Sequence, residues 1–259
     1  NLDESTYEGG TNGDSHPIAW KRDRMFYTGL GHTIESFQEE NFLQHLLGGI
    51  QSVMNGSPDF ASDEVAPALN RFQKEVLDQN LNEPMELVVL PNEDVIFIQR
   101  KGEVRYYSKE SKETTTINQL DVHSVHEDGL LGIALDPNYV ENHWLYLFYS
   151  PKGEEPIQHV SRFQLVDGSL DMDSEKIIIK IPVQREKCCH SGGGLEFDSH
   201  GNLYIGIGDD TNPHESEGFS PSDGRTGRAP FDARRTSSNS NDLRGGILRI
   251  TPQEDGTYT

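Results

Sequence analysis

The chain has 259 residues, with 22 Lys and Arg against 43 Asp and Glu, for a formal charge of −21. That excess of acid argues against a nucleic-acid partner, because a phosphate backbone needs a basic footprint, and no apolar run reaches the ~20 residues of a membrane-spanning helix. Two cysteines exclude a disulfide-dense scaffold, whereas 25 Gly and 13 Pro predict many tight turns.

Both ends read as cut, so the sequence is expected to be a window on a longer protein. Asn1 is not an initiator methionine, and NLDESTYEGGTNGDSHPIAW has neither the basic start nor the apolar core of a signal peptide. At the other end ILRITPQEDGTYT stops soon after an apolar run. HPIAW and RMFYTGLGHT predict one strand or two. A helix follows, with Phe42, Leu43, Leu46, Leu47 and Ile50 at helical spacing, acidic residues ahead of them and Asn55-Gly56 as the stop. Such a segment is too short to bury a core alone and is expected to end a larger α/β unit. Its histidines, His16, His32 and His45, read as packing and hydrogen-bonding residues near a strand end or helix face.

Residues 57–70, SPDFASDEVAPALN, read as a linker. Short β-rich runs follow: RFQKEVL, MELVVL, DVIFIQR and EVRYYS form a first set, with RFQKEVL placed as a strand although its composition also suits a helix. GLLGIALDP, HWLYLFYS, HVSRFQLV and KIIIKIPV form a second, and GGLEFDS, NLYIGIGDD and GGILRIT a third. Repeated sheets of this kind predict a β-propeller with one blade per set; a sandwich of short strands is the rival.

CCHSGGGLEFDSHGNLYIGIGDDTNP is the densest stretch for chemistry. If GLEFDS and NLYIGIG pair as a hairpin, the start of one and the end of the other share a sheet edge, so His190 and Asp209 meet. A carboxylate beside a histidine fixes its tautomer and raises its basicity, as a general base requires, and Gly192, Gly193 and Gly194 would let a flat ligand approach the backbone. The plainer alternative is a turn-rich loop whose His and Asp satisfy local backbone groups.

Two resemblances bear on these readings. HPIAW, FYTGLGHTIESF and FLQHLLGGIQ, in that order, resemble the C-terminal part of the ThuA-like family over residues 1–56. This implies the end of an α/β, flavodoxin-like domain whose nucleophile-elbow position would lie upstream, so no catalytic residue carries over. HEDGLLGIALDPNY, HVSRFQL, CCHSGGGLEFDSHGNLYIGIGDDTNP and NSNDLRGGILRI resemble the glucose/sorbosone dehydrogenase family, soluble quinoproteins built on a six-bladed propeller. That implies a mainly β fold over residues 71–259 with about three of the six blades.

By this second resemblance His190 corresponds to the catalytic base and Asp209 to the aspartate that orients it. Glu127, followed by Asp128, stands where the family places a polar, often Gln, contact to the cofactor, and an acid beside a polyanionic quinone departs from that pattern. His190, Gly192, Gly193 and His214 complete the implied cofactor-binding set. The implied activity is oxidation of a sugar by pyrroloquinoline quinone (PQQ) with Ca²⁺, whose ligands would come from later blades, and with an external electron acceptor. It further implies a periplasmic or secreted protein. A carbohydrate-binding propeller without redox chemistry is the alternative.

Three clusters remain. Cys188-Cys189 can close a strained vicinal disulfide or stay as two thiols, and no second Cys pair suggests zinc. Asp167, Asp171, Asp173 and Glu175 fail Ca²⁺-loop spacing and read as a solvated hairpin. Arg225, Arg228, Arg234 and Arg235 are expected to pair with Asp223 and Asp232, with contact to an anionic ligand as the alternative.

Overall fold

A computed structural model describes residues 19–22, 25–31, 33–54 and 73–259. The predicted linker, His16, His32 and the Asn55-Gly56 stop lie outside the described residues. The chain divides into two compact units, with the boundary between Glu75 and Val76.

In the first unit β1 (Ala19–Arg22) pairs antiparallel with β2 (Met25–Thr28), and α1 runs over Glu40–Met54. Phe42 is buried, and the Phe26 and Phe42 rings flank His45, whose Nε2 lies 3.1 Å from Thr28 Oγ1. His45 is thus a packing residue. Leu43, Leu47 and Ile50 remain exposed on the other side of α1.

The second unit holds three antiparallel sheets. The first comprises β3 (Pro84–Val89), β4 (Val95–Gln99), β5 (Glu103–Ser108) and β6 (Glu113–Gln119). The second comprises β7 (Leu130–Leu135), β8 (Trp144–Tyr149), β9 (Ile157–Val166) and β10 (Ser169–Pro182). The third has β11 (Gly192–Phe197), β12 (Leu203–Ile207) and β13 (Gly246–Ile250). Each is a meander in chain order, and the first strands β3, β7 and β11 lie side by side, the arrangement of adjacent propeller blades.

The first sheet corrects one expectation. The described part of RFQKEVL, residues 73–77, carries no strand, and the fourth strand is ETTTINQ instead. As an outer strand, β6 needs no apolar face and escapes a search for apolar alternation; three consecutive threonines supply its β-preference.

Two cores explain the middle sheet's sequence. Leu145, Leu147 and Tyr149 of β8 face the first sheet's Ile96, Ile98 and Val104, while Tyr146 and Phe148 face the third sheet's Leu195, Leu203 and Ile205. Strand side chains alternate, so a blade sandwiched on both sides must read as an unbroken apolar run, as WLYLFY does. In β7 the register shifts between Leu130 and Gly132, which puts Leu130 and Ile133 into one core and Leu131 and Ala134 into the other. Gly132 sits where β7 meets β11, and a methyl there would lie 1.8 Å from the Gly193 carbonyl oxygen.

Phe148 is fully buried in the second core. Phe148→Ala should cost about 3–5 kcal/mol by the lost transfer energy and the cavity left behind, read from the denaturant midpoint at unchanged slope.

Candidate functional site

The site forms where the starts of β7 and β11 meet the end of β12. Gly192 pairs with Ile207, so the residues just before β11 and just after β12 share one edge. His190 Nδ1 lies 2.8 Å from Asp209 Oδ1, as the hairpin requires. An ionised carboxylate only accepts, so in the neutral imidazole Nδ1 carries the proton and Nε2 keeps its lone pair. The His190 side chain is 41% exposed and Asp209 21%, so the imidazole can be reached from solvent while the carboxylate beside it is more sheltered. Asp209 Oδ1 also accepts from Thr211 N at 3.1 Å, which fixes the carboxylate.

His190 has φ +63°, a left-handed conformation that a non-glycine residue holds only when its surroundings enforce it. Its N–H donates to Glu127 Oε2 at 2.5 Å and its carbonyl accepts from Asp210 N at 3.3 Å. Gly208 packs against that carbonyl so closely that a methyl there would meet the oxygen at 1.7 Å. Sequence reading missed Gly208, although it ends the quoted phrase NLYIGIG.

The other expected residues fall around this pair. Asp128 Oδ1 accepts from Ser150 Oγ at 3.0 Å and Ser191 Oγ at 3.3 Å, tying the turn before β7 to the residue after His190. Gly192 and Gly193, both at positive φ, are filled on their Cβ side by the chain itself: Gly208 N at 2.5 Å from the first and Leu131 Cβ at 2.6 Å from the second. Their smallness serves strand packing; Gly194 alone opens onto free space. His214 is exposed on the following loop, its N–H bonded to Asn212 Oδ1 at 2.6 Å, and it makes no hydrogen bond to His190.

Of the two states open to Cys188 and Cys189, the structure has the disulfide, immediately before His190. The two cysteines line a shallow cleft with His123, His126, Arg185 and Lys187. Burial first, and then the Arg185 charge, hold His123 below the ordinary histidine range. Arg185 reaches the carbonyls of Pro151, Gly153 and Ile157, yet its Nε is buried without an acceptor, with Asp128 3.9 Å away. Burial pushes the Asp210 carboxyl up, against the pull of Arg244 at 2.7 Å. None of these four nitrogen-bearing cleft residues was singled out from sequence; their positions are scattered and follow no motif.

The arginine run pairs internally. Arg225 holds the buried Asp223 with Nε at 2.8 Å and Nη2 at 2.7 Å, Arg228 adds a contact at 3.2 Å, and Arg234 pairs with Asp232 at 2.7 Å. Arg235 donates instead to the Ala229 carbonyl. Hydrogen bonds from Arg225 hold Asp223, and from Arg234 Asp232, below the ordinary carboxylate range. A depressed folded pKa stabilises above the unfolded value and is lost as pH falls through the folded one. Proteolytic nicking of residues 216–236, the stretch that the Asp223 and Asp232 pairs hold, should therefore rise progressively below about pH 3.9.

Asp167, Asp171, Asp173 and Glu175 lie at the β9–β10 turn and along β10. Among the described residues no group of three or more His, Cys, Asp or Glu is placed to hold a metal ion, and no helix is long and apolar enough to cross a membrane.

Comparison with known proteins agrees with this architecture. Residues 81–253 match the family model described as glucose/sorbosone dehydrogenase, and residues 1–52 match the one described as trehalose utilisation, ThuA. The aldose sugar dehydrogenase of Escherichia coli is 24% identical over 183 residues, which cover 69% of this chain and 44% of that protein. The PQQ-bound aldose sugar dehydrogenase of Streptomyces coelicolor superposes with a TM-score of 0.54 at 22% identity, covering 69% of this chain and 47% of that one. The soluble E. coli aldose sugar dehydrogenase in its apo form gives 0.54 at 24% identity, covering 71% and 47%. The chain thus spans less than half the length of these relatives, and the likeness to the solved structures establishes a shared fold. With a family model matched over two thirds of its residues, the chain belongs to the glucose/sorbosone dehydrogenase family.

Proposed function

We propose that this chain carries the proton-accepting half of a PQQ-dependent aldose dehydrogenase, with His190 as the base and Asp209 orienting it. The observation that carries this reading is the 2.8 Å contact between His190 Nδ1 and Asp209, which leaves Nε2 free and accessible. An exposed imidazole nitrogen held in its acceptor form takes the proton of a sugar hydroxyl as the adjacent C–H leaves with its electron pair.

The residues present fit an anionic quinone in part. Arg185 Nε is a buried donor without an acceptor, in a cleft lined by His123, His126 and Lys187 but also by Glu127, Asp128 and Asp210, with Lys187 Nζ paired to Glu215. The cleft is about 10 Å³, room for one water, so it does not itself enclose a ring system. Lys187 would be the cation offered to the quinone's carboxylates, since the Arg185 guanidinium is taken up by the Pro151, Gly153 and Ile157 carbonyls. When bound, the quinone supplies the two-electron acceptor for the hydride. The chain's own residues then receive the proton at Nε2 and keep His190 aligned through Asp209. Ca²⁺, an external electron acceptor, export to the periplasm or medium and the identity of the sugar are further parts of this proposal.

The test is quinone titration of the purified protein followed by dye reduction with aldoses, polyols and sorbosone. Saturable quinone binding with sugar-dependent reduction supports the reading. Sugar binding without quinone binding would replace it with a non-catalytic carbohydrate-binding propeller.

A further inference from the structure

We propose that Glu127 is a positioning residue that acts through the backbone of His190 and makes no contact with a cofactor. The inference rests on the reading of His190 as a base. Glu127 lies 63 residues before His190 in sequence and on the turn leading into another blade, yet its Oε2 takes the His190 N–H at 2.5 Å.

The turn that carries Glu127 is itself fixed. Arg100 of the first sheet donates from Nη1 to the carbonyls of Ser124 at 2.9 Å and Asp128 at 2.8 Å, bracketing the turn. Arg100 is in turn paired with Glu83 at 2.9 Å. The Leu130 N–H donates to the Arg100 carbonyl and the Ser150 N–H to the Gly129 carbonyl, so the start of β7 is bonded to both neighbouring strands' ends. Glu127 therefore projects from a rigid turn, and its carboxylate oxygen is a fixed acceptor.

What that acceptor does follows from the His190 backbone. At φ +63° the peptide N–H of His190 points away from any ladder partner, and without Glu127 it would have only water. A hydrogen bond to an ionised carboxylate stabilises more than a neutral one, which offsets the cost of the left-handed conformation. Rotation of the His190 backbone toward the extended region would swing the imidazole off Asp209. The base is thus held at three points: side chain to Asp209, carbonyl to Asp210 N–H, and N–H to Glu127. The acid at this position, unexpected beside a polyanionic quinone, is spoken for by a backbone donor.

The test compares Glu127→Gln and Glu127→Ala, because a Gln side-chain oxygen accepts the same bond and Ala does not. With ¹⁵N-histidine labelling, the His190 amide should be shifted downfield and protected in the wild type and in E127Q. In E127A its exchange should accelerate roughly 10- to 100-fold. Turnover at saturating quinone should fall roughly 10²-fold in E127A, the scale of a misplaced catalytic group, and stay within about threefold in E127Q. The quinone dissociation constant should move less than about threefold in either.

An unchanged His190 amide in E127A overturns the proposal. So does a quinone affinity more than about tenfold weaker in E127A with the amide intact, which would make Glu127 a ligand. If His190→Ala retains full turnover while E127A loses the amide signature, the base assignment fails and the contact stands.

Discussion

His190→Ala is expected to lower sugar-dependent dye reduction by roughly 10²–10⁴-fold, the range contributed by a positioned general base. Quinone and sugar affinity should change little, because the imidazole is exposed and its only side-chain hydrogen bond in the structure is to Asp209. Asp209→Asn separates orientation from basicity. An amide in place of the carboxylate can donate to Nδ1, which moves the imidazole proton to Nε2 and removes the lone pair that, on the proposed function, accepts the substrate proton. Turnover should therefore fall by a similar factor although the ring barely moves. Steady-state rates, together with imidazole nitrogen shifts that report the tautomer, check both. A histidine that kept its Nε2 lone pair in the D209N protein with undiminished turnover would overturn the role given to Asp209.

The parts of this molecule that could be read from sequence are those with a local signature. β8 lies between two cores, and β4 is buried along its whole length, so both present apolar runs, WLYLFY and VIFIQ, that stand out against turn residues. β6 at a sheet's outer edge has no such signal, and the strand role given to RFQKEVL was the result. The His190–Asp209 contact was legible because a hairpin converts a separation of 19 residues into adjacency by a rule of antiparallel pairing. The Glu127–His190 contact obeys no such rule. It joins turns from different sheets, and its geometry depends on how closely β7 and β11 pack, which Gly132 and Gly193 decide. Glu127 could be aligned by resemblance to a cofactor contact, but the partner it takes emerges only once the blades are side by side. The same holds for the cleft, where His123, His126, Arg185 and Lys187 converge from two loops.

The largest structural effect near the site is expected from Gly208→Ala. Gly208 follows β12 directly, and a methyl added there would lie 1.7 Å from the His190 carbonyl oxygen, 2.4 Å from its carbon and 3.2 Å from Gly192 N. These obstacles are backbone atoms, so no side chain can rotate aside, and relief must come from pushing the His190 turn away from β12. That displacement acts on the carbonyl that accepts from Asp210 N and carries the imidazole off Asp209. Overpacking of this kind costs typically about 1–3 kcal/mol and more when the backbone is the obstacle. Turnover should fall roughly 10²-fold or further, since a displacement near 1 Å at a catalytic group has that consequence. Gly206, two residues earlier on the same strand, supplies the control. The nearest atoms to a methyl there are Gly194 backbone atoms at 3.8 and 4.0 Å, ordinary contact distances, so Gly206→Ala should leave the denaturant midpoint and turnover close to wild type. Equal loss in both variants would mean that β12 tolerates no added bulk anywhere. Loss in G208A alone locates the effect at the His190 carbonyl, and a downfield His190 amide that persists in G206A but vanishes in G208A ties it to the same turn that Glu127 holds.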